Sequence, residues 1–378
     1  MARNNVFFAM CAPGFEPVLH QELRSLRFGK IERQVGGVHF EGRFEEGMRA
    51  NLWLRTAVRV LMRLDRFEAR DADALYRGIS EIDWSRYLRP TGSLVVQAHS
   101  KDSSLDHTLF IEQKTKDAIV DQFRERTGER PSIDKDRPDL GVFVHFYRDR
   151  CTLSVDMSGD SLHKRGWRRA QTRAPLSETL AAAVLQFSRW DRRSPLLDPF
   201  CGSGTLLIEA ALLAGGYAPG RYRERFGFEA WPSHDEAAWR RLRDEARDAG
   251  ELPPKLVLRG WDEDPMAVAA AKENVIAAGF EGRIEILRGE ASRFAPRHGW
   301  NAWVVTNPPY GERIGAKGTT LGALYNQFGQ QLREHCEGYH YALLSGNPKL
   351  SDSLGLTPDK VVPLQNGALE CRLLLGQR

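Results

Sequence analysis

Residues 194–205 read Ser-Pro-Leu-Leu-Asp-Pro-Phe-Cys-Gly-Ser-Gly-Thr: a short apolar strand that runs into a glycine turn and then into the apolar stretch Thr205 to Ala214. A strand apolar on both faces must be covered on both, and a strand–turn–helix unit repeats only around a parallel sheet. The second half keeps that rhythm. Helices are predicted at Pro175 to Trp190, Thr205 to Ala214, Asp264 to Ala278 and Leu321 to Cys336. Strands are predicted at Ser194 to Asp198, Leu256 to Asp262, Arg283 to Arg288, Ala302 to Thr306, Tyr339 to Ser345, Val361 to Leu364 and Glu370 to Leu375. The expected class is therefore α/β: a mostly parallel sheet with helices on both faces.

At 378 residues the chain is too long for one average domain. The first half carries no cofactor signature and reads as α+β. Strands are expected at Val6 to Cys11, Ile31 to Phe40 (turning at Gly36-Gly37), Val58 to Leu64, Leu94 to His99, Val142 to Tyr147 and Thr152 to Asp156. Helices are expected at Phe15 to Leu26, Asp71 to Ile79 and His107 to Arg126, the last with Leu109, Ile111, Ile119 and Val120 as core positions. An insertion at 215–254, rich in charge and aromatics, interrupts the second half.

Hydrophobic residues make up 42%, enough for real cores. The balance of 54 Lys and Arg against 50 Asp and Glu is too even to identify a nucleic-acid partner, so placement of the charge matters more. The connector 159–173 concentrates it. Lys164, Arg165, Arg168, Arg169 and Arg173 surround Trp167. That composition fits either a solvated linker or a phosphate-binding strip with a stacking residue. The five cysteines, Cys11, Cys151, Cys201, Cys336 and Cys371, are far apart, so no zinc pair is expected and no metal site. Without a secretory leader or a long apolar run, the expectation is a soluble, cytoplasmic protein with no membrane partner.

The chemistry-bearing residues fall at successive strand ends. Gly202 and Gly204 let the backbone turn sharply against a ligand, with Asp198 placed to accept from a cationic amine. The run has neither the third glycine of a dinucleotide fingerprint nor the Gly-Lys of a P-loop. Asp262 ends the next strand, where an acid receives ribose hydroxyls. It lies further along the chain than the roughly 20 residues of a dinucleotide site, and the 215–254 excursion explains the gap. Glu290 and Ala291 follow the third strand, where a polar residue meets the amine of an adenine. Asn307-Pro308-Pro309-Tyr310 ends the fourth. There the Asn307 side-chain oxygen and the Pro308 carbonyl each accept one hydrogen of a planar amine. The two prolines fix φ without adding a donor, and Tyr310 stacks on a base. The set describes a nucleoside-cofactor cleft beside a pocket for a nucleobase amine.

At these residues the second half resembles the class I S-adenosylmethionine-dependent methyltransferases. Asp198–Thr205 matches their first motif, Asp262 their second, Glu290 (where they have Asp) their third and Asn307–Tyr310 their fourth. Asp156-Met-Ser-Gly-Asp-Ser-Leu-His-Lys-Arg-Gly-Trp167, Pro175–Glu178, residues 307–313 and the start at Phe7 to Glu16 are similar to the THUMP-domain RNA methyltransferases. That resemblance covers nearly the whole chain, and within the group it looks most like the enzymes of large-subunit ribosomal RNA. It implies a ferredoxin-like segment at 1–67, a THUMP RNA-binding domain at 68–157, a basic linker at 158–174 and a Rossmann-like methyltransferase domain at 175–378. It implies S-adenosylmethionine held by Asp198, Pro199, Phe200, Cys201, Gly202, Gly204, Thr205, Asp262, Glu263, Glu290, Ala291 and Asn307. It also implies methylation of a guanine exocyclic amine in structured RNA, with 23S ribosomal RNA foremost and Asn307 to Tyr310 as the reacting site. Transfer RNA, the adenine amine of DNA, and a non-catalytic RNA-binding assembly factor are the alternatives.

Overall fold

The computed structural model describes residues 4–172, 175–310 and 321–378. The chain order is β1 (Asn5–Met10), α1 (Glu16–Ser25), β2 (Gly29–Gln34), β3 (Gly37–Gly42), α2 (Phe44–Trp53), β4 (Arg59–Glu68), α3 (Ala72–Ser80), β5 (Ser93–Lys101), α4 (Thr108–Thr127), β6 (Ser132–Ile133), β7 (Leu140–Tyr147) and β8 (Arg150–Asp156). There follow α5 (Glu178–Ser188), β9 (Leu196–Asp198), α6 (Thr205–Ala214), α7 (Glu236–Asp248), β10 (Leu258–Asp262), α8 (Pro265–Ala277), β11 (Glu285–Arg288) and β12 (Trp303–Thr306). The chain closes with α9 (Leu321–His335), β13 (His340–Ser345), α10 (Pro348–Ser353), β14 (Lys360–Asn366) and β15 (Leu369–Gln377). Two compact units result. One holds Met1–Cys11, Glu22–Leu162 and Arg223–Glu245; the other holds Ala12–Gln21, His163–Tyr222 and Ala246–Arg378.

The first unit is built on one eight-stranded sheet in the order β2-β3-β1-β4-β8-β7-β5-β6. β4 pairs with β1 along one edge and β8 along the other, so one sheet continues past residue 67, with a register irregularity between Arg63 and Asp65. Strand periodicity sets its two faces. Phe7, Ala9, Val60, Met62, Leu153, Val144, Phe146 and Val96 are buried on one. α2 has no clear sequence signal, because Gly47 stands mid-helix and Arg43 makes no side-chain cap bond. The glycine is there for contact: a Cβ would meet Phe7 Cε1 at 2.5 Å and Met157 Sδ at 2.6 Å. On α4 the expected core positions Ile111, Ile119 and Val120 are buried, but Leu109 is 64% exposed near the helix start.

The inserted segment divides. Tyr217 and Tyr222 stay with the second unit, Tyr217 edge-on to Phe280 and the Tyr222 hydroxyl donating to the Ala278 carbonyl. Arg223–Glu245 instead folds with the first unit, where the reading from sequence had kept all of 215–254 in the methyltransferase domain. Phe226, Phe228 and Trp239 pack together, and Phe228 and Trp231 lie against Phe44. Aromatic burial outweighs chain continuity.

The second unit's sheet has the order β11-β10-β9-β12-β13-β15-β14. β9 to β13 run parallel and β15 is antiparallel to both neighbours. The chain leaves the central strand β9 toward one side and returns at β12 on the other, so β9 and β12 flank the point where the strand order reverses. Open α/β sheets bind ligands at that point, outside the carboxyl ends of the strands. Among the described residues, no helix is long and apolar enough to cross a membrane.

Candidate functional site

Asp198 closes β9 and is 1% exposed. Its Oδ1 accepts from the Phe200 N–H at 3.2 Å and from the Thr306 hydroxyl. Thr306 is the last residue of β12, so the bond ties the two central strand ends together and sets Asn307 beside the glycine turn. The turn itself is held by Asp262 at the end of β10. Asp262 Oδ2 accepts from the Gly202 N–H at 2.9 Å, and Oδ1 from the Asp264 N–H at 3.0 Å. Each carboxylate oxygen keeps a further lone pair for a ribose hydroxyl. Gly204, at φ +82°, starts α6 from a left-handed cap that a side chain would strain. Gly260 allows the turn to lie close, since a Cβ there would meet Cys201 Cβ at 2.8 Å.

Burial pushes the Asp198 carboxyl up to about 7, and the Asp262 charge adds to that, against the pull of its two hydrogen bonds. Burial also raises Asp262, opposed by the N–H groups of Asp264 and Gly202. Among the described residues, no cation offsets the ionised forms of these two rim carboxylates. A ligand carrying a positive amine or sulfonium supplies one.

Beside this rim lies a cleft of about 950 Å³ lined by Pro199, Trp261, Glu263, Gly289, Glu290 and Ala291, among others. Its volume suits a nucleoside. Ala291 is buried, while Glu290 is exposed and its carboxylate takes the Ser292 hydroxyl at 3.3 Å and faces Arg293 at 3.5 Å. Three members of the motif turn elsewhere. The Phe200 ring packs edge-on to Phe328 at 5.1 Å, the Thr205 hydroxyl accepts from Arg168, and the Cys201 thiol is buried.

Asn307 leads out of β12 half-buried, and its enclosed Oδ1 has no hydrogen-bond partner among the described residues. Pro308 is buried and Pro309 exposed. Tyr310 is held from behind. Its hydroxyl accepts from Asn366 Nδ2 at 2.9 Å, and its ring covers Gly346, where a Cβ would come within 2.5 Å. Residues 311–313 of the wider motif lie outside the described residues.

The basic strip expected at the linker is not laid out on the surface. Arg165 is 2% exposed and pairs with buried Glu209 at 3.1 Å. Trp167 is 1% exposed. Arg168 donates to Glu178 at 2.8 Å, Ser203 at 2.9 Å, Thr205 at 3.0 Å and the Leu176 carbonyl at 3.2 Å. Buried carboxylates need partners, and these arginines supply them. Lys164 and Arg169 are exposed; Arg173 lies outside the described residues. The linker instead braces the glycine turn. Asn274 of α8, fully buried, takes the N–H groups of Arg169 and Ala170 and donates to the Ser203 carbonyl. Arg168, expected from sequence as a phosphate contact, serves here as a brace, while Thr306 and Asn274 stand outside the motifs. Of the latter two, only Thr306 carried a signal, its place before Asn307.

Among the described residues no cluster of three or more His, Cys, Asp or Glu is placed to hold a metal. Comparison with known proteins places all three segments. The RlmL ferredoxin-like domain matches residues 6–61, the THUMP domain 69–156 and the RMKL-like methyltransferase domain 165–374. Ribosomal RNA large subunit methyltransferase K/L of Methylococcus capsulatus is 46% identical over 378 residues, covering 98% of this chain and 50% of that protein. The chain thus spans about half the length of the curated relatives it matches. SMU.472, a putative methyltransferase solved in complex with SAH, superimposes with TM-score 0.87 at 32% identity over 100% of both chains. A predicted N6-adenine-specific DNA methylase from Listeria monocytogenes does so with TM-score 0.87 at 30% identity, over 99% of this chain and 96% of that one. With its cofactor-type turn, its Asn-Pro-Pro-Tyr strand end and these matches, the chain belongs to the RMKL-like methyltransferase-domain family.

Proposed function

We propose that this chain methylates the exocyclic amine of a guanine in structured RNA, foremost large-subunit ribosomal RNA, with S-adenosylmethionine as methyl donor. The observation that carries the reading is the enclosed Oδ1 of Asn307, without a partner among the described residues and set beside the Asp198–Thr306 bond at the sheet's switch point. A buried acceptor without a donor costs roughly 1–3 kcal/mol, which an incoming N–H recovers. The relatives' ribosomal names support the choice of RNA, as does the THUMP match. The SAH complex of SMU.472 supports the cofactor.

The donor supplies an electrophilic methyl group when bound. Asp262 takes the ribose, the cleft lined by Glu290 and Ala291 takes the adenine, and Asp198 faces the positive end. The guanine swings out of its helix to enter. Asn307 Oδ1 and the Pro308 carbonyl accept its two amine hydrogens, which turns the nitrogen lone pair toward the methyl group. Tyr310 holds the base by its face, braced by Asn366. Nitrogen forms the new bond to carbon, the sulfur keeps the pair of the broken one, and the surplus proton passes to water. Positioning is the main catalytic contribution. In this reading residues 1–67 and 68–157 hold the RNA, 158–174 connect, 175–378 carry the reaction, and the work is done in the cytoplasm.

The test is Asn307→Ala. Transfer to RNA should fall by at least 100-fold while SAH affinity stays within about twofold; retained turnover would remove Asn307 from the reaction. A second reading, transfer to adenine in DNA, is favoured by the name of the Listeria neighbour, and the Asn-Pro-Pro-Tyr end accepts either amine. Offering ribosomal RNA, transfer RNA and DNA side by side with labelled donor separates the substrates.

A further inference from the structure

The first unit's sheet presents a second ordered surface, on the face opposite Phe7 and Val144. Cross-strand register places His39 beside Phe8, and His145 between His99 and Thr152. Thr152 in turn lies beside Arg66, and Ser154 beside Arg63. Residues three apart on a strand ordinarily point to opposite faces. The irregularity between Arg63 and Asp65 brings Arg63 and Arg66 to the same one. The rings form two pairs, Phe8–His39 with centroids 4.7 Å apart and His99–His145 5.6 Å apart at 16°. His99, His145 and Arg66 are exposed, and Tyr147 beside them is 41% exposed.

Cations lie between the ring pairs. Arg63 and Arg66 act on His39, which also has Glu32 opposite it on the neighbouring strand; His99 and Arg66 act on His145. Partial desolvation against the sheet lowers both His39 and His145 from the usual histidine range, and the neighbouring cations lower them further (Arg63 and Arg66 at His39, His99 and Arg66 at His145), which favours neutral, flat rings. Next to the arginines opens a cavity of about 610 Å³ to which Arg63, Arg66 and Arg86 contribute, against one lining acid, Asp65. Flat rings flanking guanidinium groups suit a strand whose bases are free to stack and whose phosphates follow the cations. In an A-form duplex the base faces are stacked on one another and closed to such rings.

We propose that this face binds single-stranded RNA, the Phe8–His39 and His99–His145 pairs stacking bases while Arg63 and Arg66 between them hold phosphates. The proposal rests on the RNA reading above and adds where and in what form an unpaired segment is gripped.

The full chain is titrated with a fluorescently labelled, unpaired 12-nucleotide RNA, followed by anisotropy at several salt concentrations. His99→Ala/His145→Ala should weaken binding by tenfold to a hundredfold with the salt slope unchanged, and His99→Phe/His145→Phe should restore it. Arg63→Gln/Arg66→Gln should weaken binding and flatten the log–log salt slope by about 1.4, at about 0.7 for each lost phosphate contact. SAH affinity, which reports the second unit, should be unaltered in all three. The far-ultraviolet circular dichroism and melting point of each variant check the first unit's fold. Wild-type affinity in a folded His99→Ala/His145→Ala variant would overturn the proposal. So would failure of the phenylalanine variant to restore binding, or a duplex that competes as well as the single strand. None of these readouts requires methyl transfer, so loss of the proposed activity would leave this result standing on its own.

Discussion

The carboxyl of Asp198 makes cofactor binding a titration. Buried at the end of β9, its carboxyl ionises only near pH 7 in the free protein. Below that it is protonated and offers nothing to a cation; above it the charge is present and the ligand's positive end stabilises it. Affinity must therefore rise with pH and level off. At pH 6 a group with a pKa of about 7 is roughly one-tenth ionised and at pH 8 roughly nine-tenths, so S-adenosylmethionine should bind about tenfold more tightly at pH 8, about 1.4 kcal/mol. Isothermal titration in buffers of differing ionisation enthalpy reads the affinity and the protons together, with close to one proton released per ligand at pH 6 and few at pH 8. Asp198→Asn should bind more weakly and lose most of the dependence; Asp262, raised in the same direction, accounts for any remainder. Equal affinities at pH 6 and 8 for the native chain, or an undiminished slope in Asp198→Asn, would refute this account.

Two further outcomes follow from packing. Arg168→Ala removes four donated bonds from the linker and the glycine turn, so SAH affinity should drop about tenfold, about 1.4 kcal/mol; Arg168→Lys, lacking the fork, should recover little of it. An unchanged SAH isotherm for the alanine variant would show that the turn holds its shape without the brace. Gly47→Ala should lower stability by about 1–2 kcal/mol, the crowding against Phe7 and Met157 outweighing the better helix former; a urea midpoint at the native value would contradict the packing read at α2.

The strand-end motifs were legible because each is local. Asp198, Asp262 and Asn307 each end a strand whose apolar run announces it, and a parallel sheet brings such ends to one rim whatever lies between. The linker was not. Whether Arg165 and Arg168 face water or a carboxylate depends on Glu209 and Glu178, which chain distance hides, and a row of cations looks the same either way. The face carrying His99 and His145 is hidden in the sequence for another reason. Its arginines share a side only because β4 slips by one residue, and period-two counting places them apart. α2 was hidden by the glycine that its packing requires.

The excursion at Arg223–Glu245 means that a gene cut at the linker does not yield two self-sufficient halves. A fragment beginning at His163 would inherit Phe226, Phe228, Trp231 and Trp239 without Phe44 and Tyr87 to cover them. A fragment ending at Leu162 would expose the apolar bed they leave. The unit of inheritance for this protein is the whole span, and shuffling its pieces requires splicing at Arg223 and Glu245 as well.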